Sequence, residues 1–247
     1  MAHLLTLVAL YFLSVSQTVL GSPCIAFDAN WNLYALGLNG KDYNASTQDK
    51  WTGGNMATDF TAAGRPPFDG PNTTCYLSQF QNAIYVMNGD TQNPNSIYMY
   101  DATALTWSQQ ATTPGGIDVG SSTCILDHDT NVGYCLAAGE MWFLNLQSLK
   151  AAQSEPIAWT DVGPAPYGPN YNPVMALADN HIYFIDVPNV PAGSMDIFVI
   201  HYSFFQPQPQ EYPLPSGTIP ATHGKTASLF QPTSVCPFDH LFFSSCF

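Results

Sequence analysis

Asn82-Ala83-Ile84-Tyr85-Val86-Met87-Asn88-Gly89 reads as a turn, a strand and a second turn, and it decides how the rest of the chain is read. Ala83 to Met87 is apolar and carries β-favouring residues. Asn82 before it and Asn88-Gly89 after it accept positive φ at low cost, which is what tight turns need. The pattern recurs. Asn32-Leu33-Tyr34-Ala35-Leu36 precedes it, and Asn131-Val132-Gly133-Tyr134-Cys135 and Asn180-His181-Ile182-Tyr183-Phe184 follow it. Tyr34, Tyr85, Tyr134 and Tyr183 are spaced 51, 49 and 49 residues apart. Asn stands three residues before Tyr in the last three repeats and two before it in the first. A second series, Trp51, Trp107, Trp159 and Tyr212, runs at spacings of 56, 52 and 53. Two independent series at one period of about 50 residues mark a tandem structural repeat.

Each repeat reads as a small antiparallel sheet. A first strand such as Thr74-Cys75-Tyr76-Leu77 turns at the Asn bend into the Tyr strand. A Gly-bearing loop leads to a third strand, such as Ile97-Tyr98-Met99-Tyr100, and a fourth lies near the Trp. Repeats of this length predict an all-β propeller made of four-stranded antiparallel blades. Leu144 to Gln153 is rich in helix formers and predicts a short helix inserted before Trp159. A fifth repeat begins at His223 and runs to Gln231, but Pro232 to Phe247 does not continue it. The chain therefore reads as about four and a half blades over residues 22–231, with an atypical tail over 232–247. A propeller closes by joining its last blade to its first. Three readings of the end remain: a prematurely ended chain, a small four- or five-bladed ring closed by the tail, or stacked β-structure that is not a propeller.

Residues 1–21 read as a signal peptide. Leu4 to Leu20 is almost continuously apolar, and Val19-Leu20-Gly21 places small residues before a cleavage site at Ser22. The run is about 17 residues and has no basic stop-transfer flank, which argues against a membrane anchor. No later stretch is long and apolar enough to be a transmembrane segment. The expected location is extracellular, with cell-surface anchoring only in a longer form.

Charged residues make up only 9% of the chain, yet its net charge is −13 with five Lys and Arg in total. That deficit excludes a phosphate-binding surface and argues against nucleic acid or anionic lipid as partner. Two sequons, Asn44-Ala45-Ser46 and Asn72-Thr73-Thr74, lie in polar stretches and are expected to carry glycans.

In a secreted chain the six cysteines are expected to form disulfides. Cys24, Cys75 and Cys124 each stand ten residues before a repeat Tyr, so they occupy equivalent first-strand positions. Cys124 and Cys135 flank one hairpin turn and face each other across it, close enough for a bridge. That leaves Cys24 with Cys75 between neighbouring blades, and Cys236 with Cys246 in the tail.

Asp127, Asp129 and Asn131 have the alternate spacing of a calcium loop, echoed by Asp28, Asn30 and Asn32. No distal Glu completes either loop, and Asx residues cap hairpin turns unaided, so no metal is expected. There is no Gly-x-Ser-x-Gly elbow and no His-Glu-x-x-His, and Glu occurs in the mature chain only at 140, 155 and 211. Trp31, Trp142 and Tyr167 are candidate exposed rings for stacking on sugars.

Ile84 to Gly89, then Tyr100-Asp101, then Trp107, resembles a kelch repeat. Leu36-Gly37 and Ala138-Gly139 keep part of the kelch glycine pair, and Ile185-Asp186 keeps none of it. The chain is similar, over residues 24–231, to fungal secreted kelch-type proteins related to the central propeller of galactose oxidase. That resemblance raises a copper oxidase, or an inactive relative of one, with His201, Tyr202 and His223 as the residues to inspect. Fold likeness does not transfer chemistry. The sequence points first to a non-catalytic extracellular or cell-surface binding protein without cofactor, its partner a glycan or cell-wall component. The copper enzyme and a truncated, non-functional product are the alternatives.

Overall fold

In blades 2 and 3 the Asn turn reverses the chain into a strand buried on both faces, and that double burial sets the architecture. The computed structural model describes residues 21–54, 56–191 and 193–211. Blade 1 is formed by β1 (Cys24–Phe27), β2 (Leu33–Leu38), β3 (Lys41–Ser46) and β4 (Thr58–Asp59), antiparallel in chain order. Blade 2 follows with β5 (Thr74–Ser78), β6 (Ala83–Met87), β7 (Ser96–Asp101) and β8 (Thr106–Thr113). Blade 3 contains β9 (Thr123–Asp127), β10 (Val132–Ala137) and β11 (Glu140–Asn145). The chain then leaves that blade to place β12 (Ile157–Ala158) parallel to the outer edge of β8, and returns as β13 (Thr160–Pro164) beside β11. Blade 4 has β14 (Val174–Ala178), β15 (His181–Ile185), β16 (Ser194–Val199) and β17 (Phe204–Phe205), with β18 (Gln210–Glu211) also pairing with β16. The first strands lie side by side, β1 next to β5, β5 next to β9 and β9 next to β14, so the blades succeed one another face to face. This is a propeller-like all-β fold.

Strand alternation assigns each side chain to one neighbour. In β6, Ile84 and Val86 pack toward blade 1, while Ala83, Tyr85 and Met87 pack toward blade 3. Every residue of β6 is at most 1% exposed, the mark of a strand with a sheet on each side. The repeat tyrosines owe their period to this geometry. Tyr34, Tyr85 and Tyr134 each point into the interface with the following blade. Burying such a ring contributes roughly 1.5–3 kcal/mol.

Two expectations are corrected. Leu144 to Gln153 is not helical: Leu144 and Asn145 complete β11, and Gln147 turns at φ 50° into an extended strap. Leu144 and Leu146 are both fully buried, so the stretch follows strand alternation, which outweighs its helix propensity. Trp107 and Trp159 are buried at or beside outer strands as the spacing implies. Trp51 instead sits about one-third exposed on a one-turn helix, α1 (Gln48–Trp51), between β3 and β4. Tyr212, the fifth repeat, Cys236, Cys246 and the 232–247 tail lie outside the described residues, as do residues 1–20 of the expected signal peptide.

Candidate functional site

The hairpins joining the first and second strands, and those joining the third and fourth, cluster at one end of the blades. Asn82, Asn131 and Asn180 sit there at φ 50°, 57° and 61°, a left-handed conformation that Asn tolerates better than most side chains. The side chains of Asn82 and Asn131 also reach across blade boundaries. Asn82 Oδ1 accepts from the Ala29 backbone N–H of blade 1 at 2.8 Å. Asn131 Oδ1 accepts from Ser78 Oγ of blade 2 at 2.7 Å, and Asn131 Nδ2 donates to Tyr85 Oη at 2.8 Å. In blade 1 the left-handed position is taken by Trp31 at φ 62°, which displaces the Asn of the repeat by one residue.

The aspartates that suggested a metal loop serve the turns. Asp127, fully buried, accepts from the Asp129 N–H at 3.2 Å and from the Thr130 hydroxyl. Asn131 has turned toward blade 2, so Asp127, Asp129 and Asn131 do not converge on one point. Asp28 likewise accepts from the N–H groups of Asn30 and Asn32, both at 2.9 Å, and from Tyr34 Oη at 3.2 Å. Among the described residues no three His, Cys, Asp or Glu side chains gather as a metal site. His201 and Tyr202 lie exposed in the turn after β16, and His223 is outside the described residues.

The opposite end carries the loops from blade to blade, and there a cleft of about 220 Å³ opens between blades 3 and 4. Ser121 and Thr123 form one wall, the run Pro169-Asn170-Tyr171-Asn172-Pro173 forms the other, and Leu136 forms the floor beside Ala138. The second wall is held from below. The Ala165 N–H donates to Gly139 O at 2.8 Å, the Tyr171 N–H to Gly168 O at 3.2 Å, and Tyr171 Oη to Ile185 O. Burial raises the Tyr171 hydroxyl above the ordinary phenol value, so it stays protonated. Ser121 Oγ donates to Asp118 Oδ2 at 2.9 Å, while the amides of Asn170 and Asn172 are exposed. The lining offers neutral hydrogen-bonding groups and contains no acid, base or histidine. This site was not legible in the sequence, because its residues come from three separate loops and two strands and share no motif.

Of the candidate stacking rings, only Trp31 is exposed. Trp142 and Tyr167 are 8% and 6% exposed and belong to the cores between blades. Cys24 is joined to Cys75 across blades 1 and 2, and Cys124 to Cys135. Cys124 and Cys135 stand directly opposite in the β9–β10 ladder with Cα atoms 4.0 Å apart. Asn72 is exposed in the loop before β5, its Nδ2 3.3 Å from Gly120 O. Asn44 is half-buried within β3, where its Oδ1 accepts from the Ser46 N–H at 2.6 Å. No described helix is long and apolar enough to cross a membrane.

The chain matches no protein-family model and no curated protein sequence. Solved structures do resemble it. YjhT, a kelch-type β-propeller, aligns over 84% of this chain and 69% of its own at 11% identity, with a TM-score of 0.53. An auxiliary nutrient binding protein from Bacteroides thetaiotaomicron aligns over 71% of this chain and 44% of its own at 12% identity, with a TM-score of 0.46. At such identities the first likeness is one of fold: the chain is similar to kelch-type β-propellers.

Proposed function

We propose that the protein is a secreted, non-catalytic glycan-binding protein that takes its ligand in the loop-end cleft between blades 3 and 4. The observation that carries this reading is the lining. Two exposed carboxamides, a serine and a threonine offer both donors and acceptors, over an apolar floor and between two prolines. Carboxamides and hydroxyls match the mixed donors and acceptors of sugar hydroxyls, and the apolar floor suits the C–H faces of a sugar ring. Hydrolysis of a glycosidic bond needs two carboxyl groups flanking it, and the lining has none. The two disulfides suit an oxidising compartment, which supports secretion.

The test is retention of the secreted chain on immobilised cell-wall polysaccharides, followed by calorimetric titration with neutral oligosaccharides. A double variant, Asn170→Ala with Asn172→Ala, is expected to weaken binding about tenfold or more through loss of hydrogen bonds to the ligand. Failure of the native chain to bind any glycan, or equal binding by the variant, would overturn the assignment.

A further inference from the structure

The sequon Asn72-Thr73-Thr74 stands against the back of the cleft wall. Asn72 is exposed in the loop before β5, and its Nδ2 donates to Gly120 O at 3.3 Å across the boundary between blades 2 and 3. Gly120 immediately precedes Ser121, which lines the loop-end cleft. Both sides of this contact are firmly held. Thr73, 2% exposed, donates its hydroxyl to Asn88 O at 2.9 Å and fixes the sequon loop to blade 2. Across from it, Val119–Ser121 forms one tight helical turn, with Val119 buried in the core between blades 2 and 3. Asp118 accepts from the Gly120 N–H at 3.1 Å and from the Ser121 hydroxyl at 2.9 Å, and buried Ser122 donates to Val119 O at 2.8 Å.

Nδ2 is also the atom that N-glycosylation modifies. A bond forms from Nδ2 to the anomeric carbon of the first sugar, Nδ2 loses one hydrogen as a proton, and a lipid-linked diphosphate leaves that carbon. The second Nδ2 hydrogen remains to donate to Gly120 O. The innermost sugar then begins beside Gly120 and Ser121, and the bulky, water-loving glycan stands at that rim of the cleft. The opposite wall carries no such group. Residues 169–173 contain no sequon, and the other sequon of the chain, at Asn44, belongs to blade 1.

The size of the cleft makes its rim matter. At about 220 Å³ it is smaller than the roughly 300–1,000 Å³ of pockets that enclose a whole small ligand. A glycan ligand seats a short stretch there, and the remainder runs out over a rim. An internal segment of a polymer needs two free rims, one for each direction of its chain. A chain end or a short oligosaccharide needs one.

We infer that the Asn72 glycan is a steric gate on the loop-end cleft: it closes the blade 2 rim, so the cleft takes short oligosaccharides and chain ends and rejects internal segments of a polymer. This rests on the glycan-binding reading of the cleft and names what that site selects. A clash built against the longer ligand gives selectivity without any added contact to the shorter one.

The experiment compares the full secreted chain before and after endoglycosidase trimming of the folded protein, with Asn72→Gln as a second route and Asn44→Gln as control. One arm needs no ligand. Ser121→Cys, at the gated rim, is labelled with a small maleimide and with a polyethylene-glycol maleimide, and Ser154→Cys, exposed on the strap before β12, serves as reference. Trimming is expected to raise the large-to-small labelling ratio at Ser121→Cys about threefold or more and to leave Ser154→Cys unchanged. The other arm titrates a neutral β-glucan as trisaccharide and as long soluble polymer. Loss of the Asn72 glycan is expected to tighten polymer binding about fivefold or more and to leave trisaccharide binding unchanged. Labelling that ignores the glycan overturns the gate whatever the cleft binds, as does an Asn72 found unmodified in the secreted chain by mass spectrometry. So does a cleft that binds both glucans with the same preference before and after trimming. A labelling response with no glucan bound upholds the gate and counts instead against the glycan-binding reading of the cleft.

Discussion

Ser78 Oγ donates to Asn131 Oδ1 at 2.7 Å across the boundary between blades 2 and 3, and both residues are buried. Asn131 therefore does two things: its backbone makes the left-handed turn, and its side chain joins that turn to the previous blade. These separate by substitution. Asn131→Gly keeps the conformation and loses the hydrogen bonds to Ser78 and Tyr85, for an expected cost of about 2–3 kcal/mol. Asn131→Ala loses both and should unfold about 1 kcal/mol more easily than the glycine variant. Urea denaturation of the two variants checks the order.

Arg65, the single arginine, grips Asp42 with two hydrogen bonds, Nε to Oδ2 at 2.8 Å and Nη2 to Oδ1 at 2.9 Å. The Asp42 side chain is fully buried and also accepts the Gly37 N–H at 2.8 Å. Arg65→Met would strand that carboxylate and is expected to destabilise the fold by about 3–5 kcal/mol. Adding Asp42→Asn removes the stranded charge and should recover part of the loss. Equal stability of the single and double variants in urea would refute this account.

Asp196 lies half-buried in β16 opposite Phe184, and burial raises its carboxyl above the ordinary value. The native state thus holds this proton more tightly than the unfolded chain does. Between the unfolded value, about 3.9, and the raised native value, this residue's contribution to stability falls as pH rises. Asp196→Asn should therefore raise the melting temperature at neutral pH, with the gain fading as the pH approaches 4 or so. Melts of both proteins from about pH 3.5 to about pH 7 test the sign.

Asn72 projects from an exposed loop, whereas Asn44 is held half-buried in a strand. Asn72 is expected to carry a glycan in the secreted chain. Asn72→Gln should run faster on a gel by the mass of one glycan, and enzymatic deglycosylation should erase the difference. Unchanged mobility of the variant would show Asn72 unmodified.

The Tyr series was legible because the rings of Tyr34, Tyr85 and Tyr134 fill the same gap between consecutive sheets, so one spatial need repeats at one sequence interval. The offset Asn of the first repeat had a cause visible only in the backbone, where Trp31 occupies the left-handed position. Trp51 kept the period without the environment, since an inserted helical turn carries it out of the sheet. The cleft left no trace in the sequence for a different reason. Ser121, Ala138 and Asn172 meet only once blades 3 and 4 are stacked, and neutral residues in turns look alike whether or not they bind anything.

The strap that carries β12 back to β8 has a mechanical meaning. The Gln153 N–H donates to Gln110 Oε1 at 2.8 Å, Gln110 Nε2 to Glu155 O at 2.9 Å, and the Trp159 N–H to Thr113 O at 3.0 Å. Blade 3 thus overlaps blade 2 like a roof tile, sealing an edge on which a foreign strand could otherwise nucleate aggregation. Blades 1 and 2 are fastened covalently near the axis through Cys24 and Cys75, and blades 2 and 3 are lapped at the rim. A chain pulled apart by force, or cut by a protease, should part at neither seam first, so the first three blades would fail together or not at all.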